Sequence, residues 1–260
     1  GLDPDLRFSS LSTSPIGFAE VCNDDDETEL ITQGAFDIEE EKIYEVDGVT
    51  EVLDDAEYPD KAVLQIMKPE ETRLRGATGA KAGLDVVLID MGVDTNHSAT
   101  KDQISKTQKC FSEARDGFKS SCPNGKNEDD SAHISDAMAA HGTMMLGLIT
   151  TVSEGNVIPI QTSSIELDDN GNPEKHVLFG SNIAKAYDWV IGSSDRIAAV
   201  NASYGAGTYT STSACVEDNM FDDELVGRIT RKGISFVAAS GNTPGLNFTS
   251  SPACIPEAIA

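Results

Sequence analysis

Long apolar runs are missing from this chain of 260 residues. None approaches the roughly 20 consecutive apolar residues of a membrane span. The opening stretch "GLDPDLRFSS" has no basic n-region and no apolar h-region. No secretory signal is therefore visible, and a start after a removed signal is the expectation for a secreted chain. Positive charge is also scarce, with 19 Lys and Arg against 44 Asp and Glu, for a net charge of −25. A field of that sign repels nucleic acid and anionic lipid, which excludes both as expected partners. Internal repeats and low-complexity tracts are absent. The five cysteines, Cys22, Cys110, Cys122, Cys215 and Cys254, include no C-x-x-C pair, so zinc and redox motifs are unsupported.

What is present begins with acid. The clusters "NDDDETE" (23–29) and "NEDD" (127–130) offer the hard oxygen ligands that Ca²⁺ prefers, although neither has EF-hand spacing. Structural calcium is thus an expectation without an assigned site, and a solvated acidic surface is the simpler reading. Sequons occur at Asn96, Asn201 and Asn247. Together with spaced cysteines they point to a secreted, extracellular glycoprotein with disulfides, one cysteine being left over.

The chain changes character near residue 75. Residues 1–75 form an acidic, glycine-poor extension in which "KIYEVDGVTEVL" (42–53) reads as a short hairpin around a D-G turn. After the glycine-rich "GATGAKAG" (76–83) come four apolar runs: "DVVLID" (85–90), "NVIPIQ" (156–161), "RIAAVNAS" (196–203) and "ISFVAAS" (234–240). Continuous rather than alternating apolarity is the mark of strands buried on both faces. Helices are expected over 181–194, with Ser181 as cap and Ile183, Tyr187, Val190 and Ile191 inward, and over 222–233, ending at Gly233. Alternating strand and helix over 76–260 predicts an α/β domain, doubly wound, with a mostly parallel sheet between helices in three layers.

Chemistry in such sheets gathers at the carboxyl ends of the strands. Three residues stand out there or at a helix start: Asp90, His141 in "AHGTMMLG", and Asn242 in "AASGN". Taken alone, His141 reads as a structural core residue ahead of a metal ligand or a base. Asp90 and Asn242 each read as turn formers. As a set they are the kit for acyl transfer: a carboxylate to fix an imidazole, the imidazole to move protons, and an amide to receive an oxyanion.

"VVLIDMGVDTNH" (86–97), "HGTMMLGLI" (141–149), "AAVNASYGAG" (198–207), "ISFVAASGN" (234–242) and "SPACIPEAIA" (251–260) follow one another in an order that resembles the subtilisin-like serine proteases. The resemblance implies a subtilisin-like fold over 76–260 and a peptide or protein substrate. It makes Asp90 the residue that orients His141, His141 the general base and then acid, and Asn242 the oxyanion donor. Ser203, Tyr204 and Gly205 would line the substrate cleft. No cofactor is required for that chemistry.

The sequence departs from the family in three places. The nucleophilic serine follows the histidine by roughly 160 residues in subtilisin order, which places it near position 300. The serine is therefore expected beyond residue 260, in a longer chain, a cleaved segment or a second chain; a catalytically inactive subtilase-like binding protein is the alternative. The Gly-Ser of "FGSNIAKA" (179–186) lies between the wrong strands and reads as a helix cap. Met144 and Met145 occupy a stretch where the family often has a second histidine, and read as packing. Asp90 and His141 are separated by 51 residues, with "CFSEARDGFKSSC" in the surplus. Pairings Cys110–Cys122 and Cys215–Cys254 are expected, leaving Cys22. The first 75 residues read either as a prodomain, "YEVDGVTEVLDDAEYPD" (44–60) resembling the end of one and making the chain a zymogen, or as an extension packed on the domain.

Overall fold

The computed structural model describes residues 8–19, 30–31, 35, 38–44, 83–134, 140–153, 155–242 and 247–260. Its centre is a six-stranded sheet of β4 (Asp85–Asp90), β5 (Lys109–Phe111), β7 (Glu128–Asp129), β8 (Val157–Gln161), β11 (Ile197–Ala202) and β13 (Ser235–Ala238). The spatial order is β13-β11-β4-β8-β5-β7, parallel throughout except for the β5–β7 pair. The four apolar runs supply four of its strands. Val87, Leu88, Ile89, Ile158 and Val200 are wholly buried, as strands covered on both faces require.

Helices α1 (Ala140–Val152), α2 (Gly180–Gly192) and α4 (Met220–Arg231) cover the sheet, with the short α3 (Thr212–Asp218) before the last. Ile183, Tyr187 and Val190 of α2 and Leu225, Val226 and Ile229 of α4 join the main core. A smaller core joins Leu88, Val93, Leu146 and Val157, with Met145 packed against it. Met145 is thus packing, as read from the sequence. Gly233, at φ +83°, closes the C-terminal end of α4 by donating to Thr230 O at 2.8 Å, the left-handed end expected of glycine there.

A second, antiparallel sheet goes beyond the sequence expectation. β3 (Ile43–Tyr44), β6 (Phe118–Ser120), β9 (Ser163–Leu167) and β10 (Pro173–Phe179) assemble in the order β3-β10-β9-β6. The β9–β10 turn is "DDNGN", where Asp168 accepts from the backbone N–H of Asn170 and Asn172, at 2.9 and 2.8 Å. The N-G dipeptide at 170–171 is the signal for it in the sequence. Two further ribbons pair β1 (Phe8–Ser10) with β2 (Gly17–Ala19) and β12 (Ala206–Tyr209) with β14 (Thr249–Ser251).

Residues 8–19 and 38–44 lie against this body. Ser12 and Thr13, in the β1–β2 turn, donate through backbone N–H groups to Asp188 of α2, each at 2.8 Å, and Leu11 and Ile16 enter the core. Residues 43–44, expected in a local hairpin, instead pair with β10, Ile43 opposite Phe179 and Tyr44 opposite Leu178. The remainder of that hairpin, the boundary near residue 75, Cys22 and "NDDDETE" lie outside the described residues. Ser181 is also not the cap of α2. Phe179 occupies that position with no side-chain bond, and Glu41 takes over the task from outside, accepting from the Ser181 N–H at 2.7 Å.

Candidate active site

β4 ends at Asp90, and parallel pairing carries the ends of β8 and β11 to the same edge: Asp90 lies opposite Gln161, and Ala202 opposite Ile89. The Asp90 carbonyl accepts from Thr162 N–H at 3.0 Å, and its Oδ1 accepts from Met91 N–H at 2.8 Å. The carboxylate is thereby held in one orientation, and the residue is 1% exposed. α1 brings His141 onto it. Nδ1 stands 3.0 Å from both Oδ1 and Oδ2. Nδ1 donates in such a pair, which leaves Nε2 free to accept a proton.

Glycine makes the approach feasible. A Cβ on Gly142 would stand 2.1 Å from Gly92 O and 3.0 Å from Asp90 Oδ1. Only glycine lets the first turn of α1 lie this close to the end of β4. Gly92 itself sits at φ +117°, with Gln161 and Ile134 at 3.2 Å from an added Cβ. Asp94 N–H donates to Thr143 Oγ1 at 2.9 Å, tying the strand's exit to the helix.

Burial opposes protonation of His141, but the charge of Asp90 and its hydrogen bond more than offset this. The imidazole is held above its ordinary value of 6.5. A buried His–Asp pair bonded through Nδ1 can take a proton at Nε2 from a neutral nucleophile and return it to a leaving group.

Asn242 lies four residues beyond β13, on the same edge, and is exposed. Gly241 before it turns at φ +104° against Ser250. Ser203 and Gly205 are half-buried just past β11, Ser203 Oγ accepting from Asn201 Nδ2 at 2.8 Å. The Tyr204 side chain turns inward. It is 1% exposed and its hydroxyl lies 2.7 Å from that of Tyr187, so its side chain belongs to the core.

Cys110–Cys122 and Cys215–Cys254 are joined as disulfides, with Cα separations of 5.7 and 6.1 Å. Asn96 and Asn247 are exposed. Asn201 is less suited to a glycan, since it lies within β11 with its amide nitrogen already bonded. Three of the four "NEDD" side chains serve other partners: Asn127 Oδ1 accepts from Ala114 N–H, Asp129 Oδ2 from Asn124 N–H, and Asp130 pairs with Lys109. Among the described residues no three His, Cys, Asp or Glu side chains converge on a metal position. None of the described helices is long and apolar enough to cross a membrane.

The sequence pattern of the subtilase family matches residues 81–260. The chain belongs to the subtilase family. Solved structures similar to this subtilase include the S41 psychrophilic protease, at 20% identity over 70% of this chain and 53% of that one, TM-score 0.45. Another is the epidermin leader peptide processing serine protease from Staphylococcus aureus, at 16% identity over 82% and 54%, TM-score 0.48. A third is the nisin leader peptidase from Lactococcus lactis, at 16% identity over 72% and 57%, TM-score 0.46. The subtilase chain thus spans little more than half the length of each. No curated protein sequence matches it.

Proposed function

We propose that this subtilase is the His–Asp part of a secreted serine endopeptidase. The observation that carries the reading is the buried contact of His141 Nδ1 with Asp90, at 3.0 Å, on the edge of the sheet where β11 and β13 also end. The nucleophile in this reading is a serine beyond residue 260, where the family's motif order puts it. Its Oγ attacks the scissile carbonyl as Nε2 of His141 takes the proton. Asp90 stabilises the imidazolium, and Asn242 donates to the oxyanion, a contribution of about 3–4 kcal/mol to the barrier where such donors have been removed. His141 then returns the proton to the leaving amine, and water releases the acyl group by the same route.

An extended peptide would lie along Ser203, Tyr204 and Gly205, bonding to their backbone. The two disulfides favour an oxidising, extracellular setting. Residues 1–75 are, in this reading, a prodomain whose described residues 8–19 and 38–44 pack on α2 and α4, and the chain is a zymogen. Glycans at Asn96 and Asn247 and a structural calcium are part of the same proposal.

The test is a fluorophosphonate probe on the natural full-length protein. Labelling of one serine downstream of Ala260, lost in His141→Ala, is the expected result. A folded full-length protein that takes no label is instead a binding protein built on the subtilase fold.

A further inference from the structure

His176 is buried like His141, and the hydrolytic chemistry proposed above makes no use of it. It lies in β10 opposite Ile165 of β9, while Ser163 lies opposite Leu178. His176 and Ser163 are thus diagonal neighbours on one face of the antiparallel sheet. Nδ1 of His176 stands 3.0 Å from Ser163 Oγ, and Ser163 Oγ donates to Met91 O at 2.8 Å. Ser163 is wholly buried. A hydroxyl has one proton, and here the carbonyl takes it. His176 Nδ1 therefore carries the proton of the other bond, with Ser163 Oγ as acceptor. Ser121 Oγ, 3.1 Å from Ser163 Oγ, does not supply that proton, because its own goes to Ser163 O.

Met91 O sits at the joint between β4 and α1. The chain passes from Asp90 to Gly92 through two peptide planes. Thr162 braces the first, its N–H donating to Asp90 O at 3.0 Å, while the Met91 N–H of the same plane donates to Asp90 Oδ1 at 2.8 Å. The second plane ends at Gly92, at φ +117°, where the chain has the rotational freedom that glycine confers. Its carbonyl is Met91 O, and Ser163 holds it. Gly92 O in turn is the surface on which α1 rests, since a Cβ on Gly142 would stand 2.1 Å from it. The setting of this second plane thus fixes where the first turn of α1, with His141, meets Asp90.

We infer that Ser163 and His176 are positioning residues: through the Met91–Gly92 peptide they hold the His141 ring in register on Asp90. Their effect on turnover rests on the peptidase reading; their effect on the ring does not. The first measurement needs no substitution. A long-range proton–nitrogen correlation spectrum of this protein at neutral pH shows the His176 ring with a proton on Nδ1. A bare Nδ1 overturns the inference, since Ser163 would then donate to the ring and not to Met91 O.

Three variants test the consequence. Ser163→Ala removes the donor to Met91 O. His176→Leu removes the donor to Ser163 and keeps apolar bulk. His176→Asn loses bulk but places an amide N–H where Nδ1 stood. In variants that are folded by circular dichroism, the His141 Hδ1 proton exchanges with water about tenfold faster in Ser163→Ala and His176→Leu, through easier local opening, and at the unmodified rate in His176→Asn. In the full-length protein the first two lower kcat about tenfold at unchanged KM, part of the roughly 10²-fold that a displacement of about 1 Å costs. A role in packing alone reverses the order, with His176→Leu silent and His176→Asn disturbed. That order, or an unchanged Hδ1 in folded Ser163→Ala, overturns the inference. Where a variant does not fold, the tautomer of His176 in the unmodified protein still decides. Each of those results leaves the peptidase reading intact, and a full-length protein that shows the exchange effect yet takes no fluorophosphonate overturns only the latter.

Discussion

His141 carries the sharpest consequences, because one side chain links stability, pH and the proposed catalysis. Its pKa in the fold is above 6.5, burial being outweighed by Asp90. Folding therefore favours the protonated ring. That stabilisation is complete below about pH 6.5 and is lost as pH rises through the folded value. A base must be neutral, so hydrolysis by the full-length protein has the opposite slope and increases over the same interval. Urea midpoints against pH, with an NMR titration of His141, check the first statement, and kcat/KM against pH checks the second. Asp90→Asn removes the charge that holds the ring, lowers the His141 pKa, and reduces kcat by about 10⁴ through loss of the correct tautomer. Unchanged kcat in that variant would remove Asp90 from the mechanism. Gly142→Ala tests geometry alone: the new methyl must displace Gly92 O, so turnover falls sharply and stability by about 1–3 kcal/mol, the range for overpacked sites. The identities of Asp90 and His141 are legible in the sequence because each sits at a strand end or a helix start. The absence of room for a Cβ at Gly142 is not, since it depends on where α1 lands against β4.

Elements are held together by contacts that reach across the chain. Cys110 and Cys122 join β5 to the loop after β6, and Cys215–Cys254 joins α3 to the turn after β14, with sequence separations of 12 and 39. In the chain-entropy model these closures contribute about 3 and about 4 kcal/mol. Paired Cys→Ser replacements, followed by urea unfolding, should show losses of that size and order. Glu41 has a second role of the same kind. Its Oε1 caps α2 through Ser181 N–H, and its Oε2 accepts from Arg115 Nη1 at 2.6 Å, while Arg115 stacks 3.6 Å over Phe179. Glu41→Ala costs about 1 kcal/mol, the usual value of a lost cap, and a thermal shift checks it. α2 itself is readable from its apolar face. Its cap is not, because the carboxylate comes from residue 41, far outside the local window that capping rules inspect. The antiparallel sheet escapes a sequence reading for a similar reason: its strands are short, and Tyr44 of β3 finds its partner in Leu178, far along the chain.

The whole molecule is strongly acidic, and its net charge of −25 predicts indifference to polyanions. A labelled DNA duplex should show no anisotropy change at about 0.15 M salt, where unpaired anionic fields still repel at short range. At this scale the division between sequence and tertiary structure is clear. Runs such as "DVVLID" and "RIAAVNAS" determined the parallel sheet by themselves, since a strand buried on both faces must be largely apolar along its length. Motif order then determined which strand ends bear Asp90 and Asn242, and composition determined the charge. Only the tertiary structure decided that Tyr44 packs on Tyr204 and bonds to Asp222, that Glu41 caps a helix it does not belong to, and that residues 8–19 and 38–44 pack on the sheet and helices they precede. Periodicity reports which face of an element is buried. It carries no information about which distant segment covers that face, because that is set by shape, register and the pairing of buried polar groups across the assembled core.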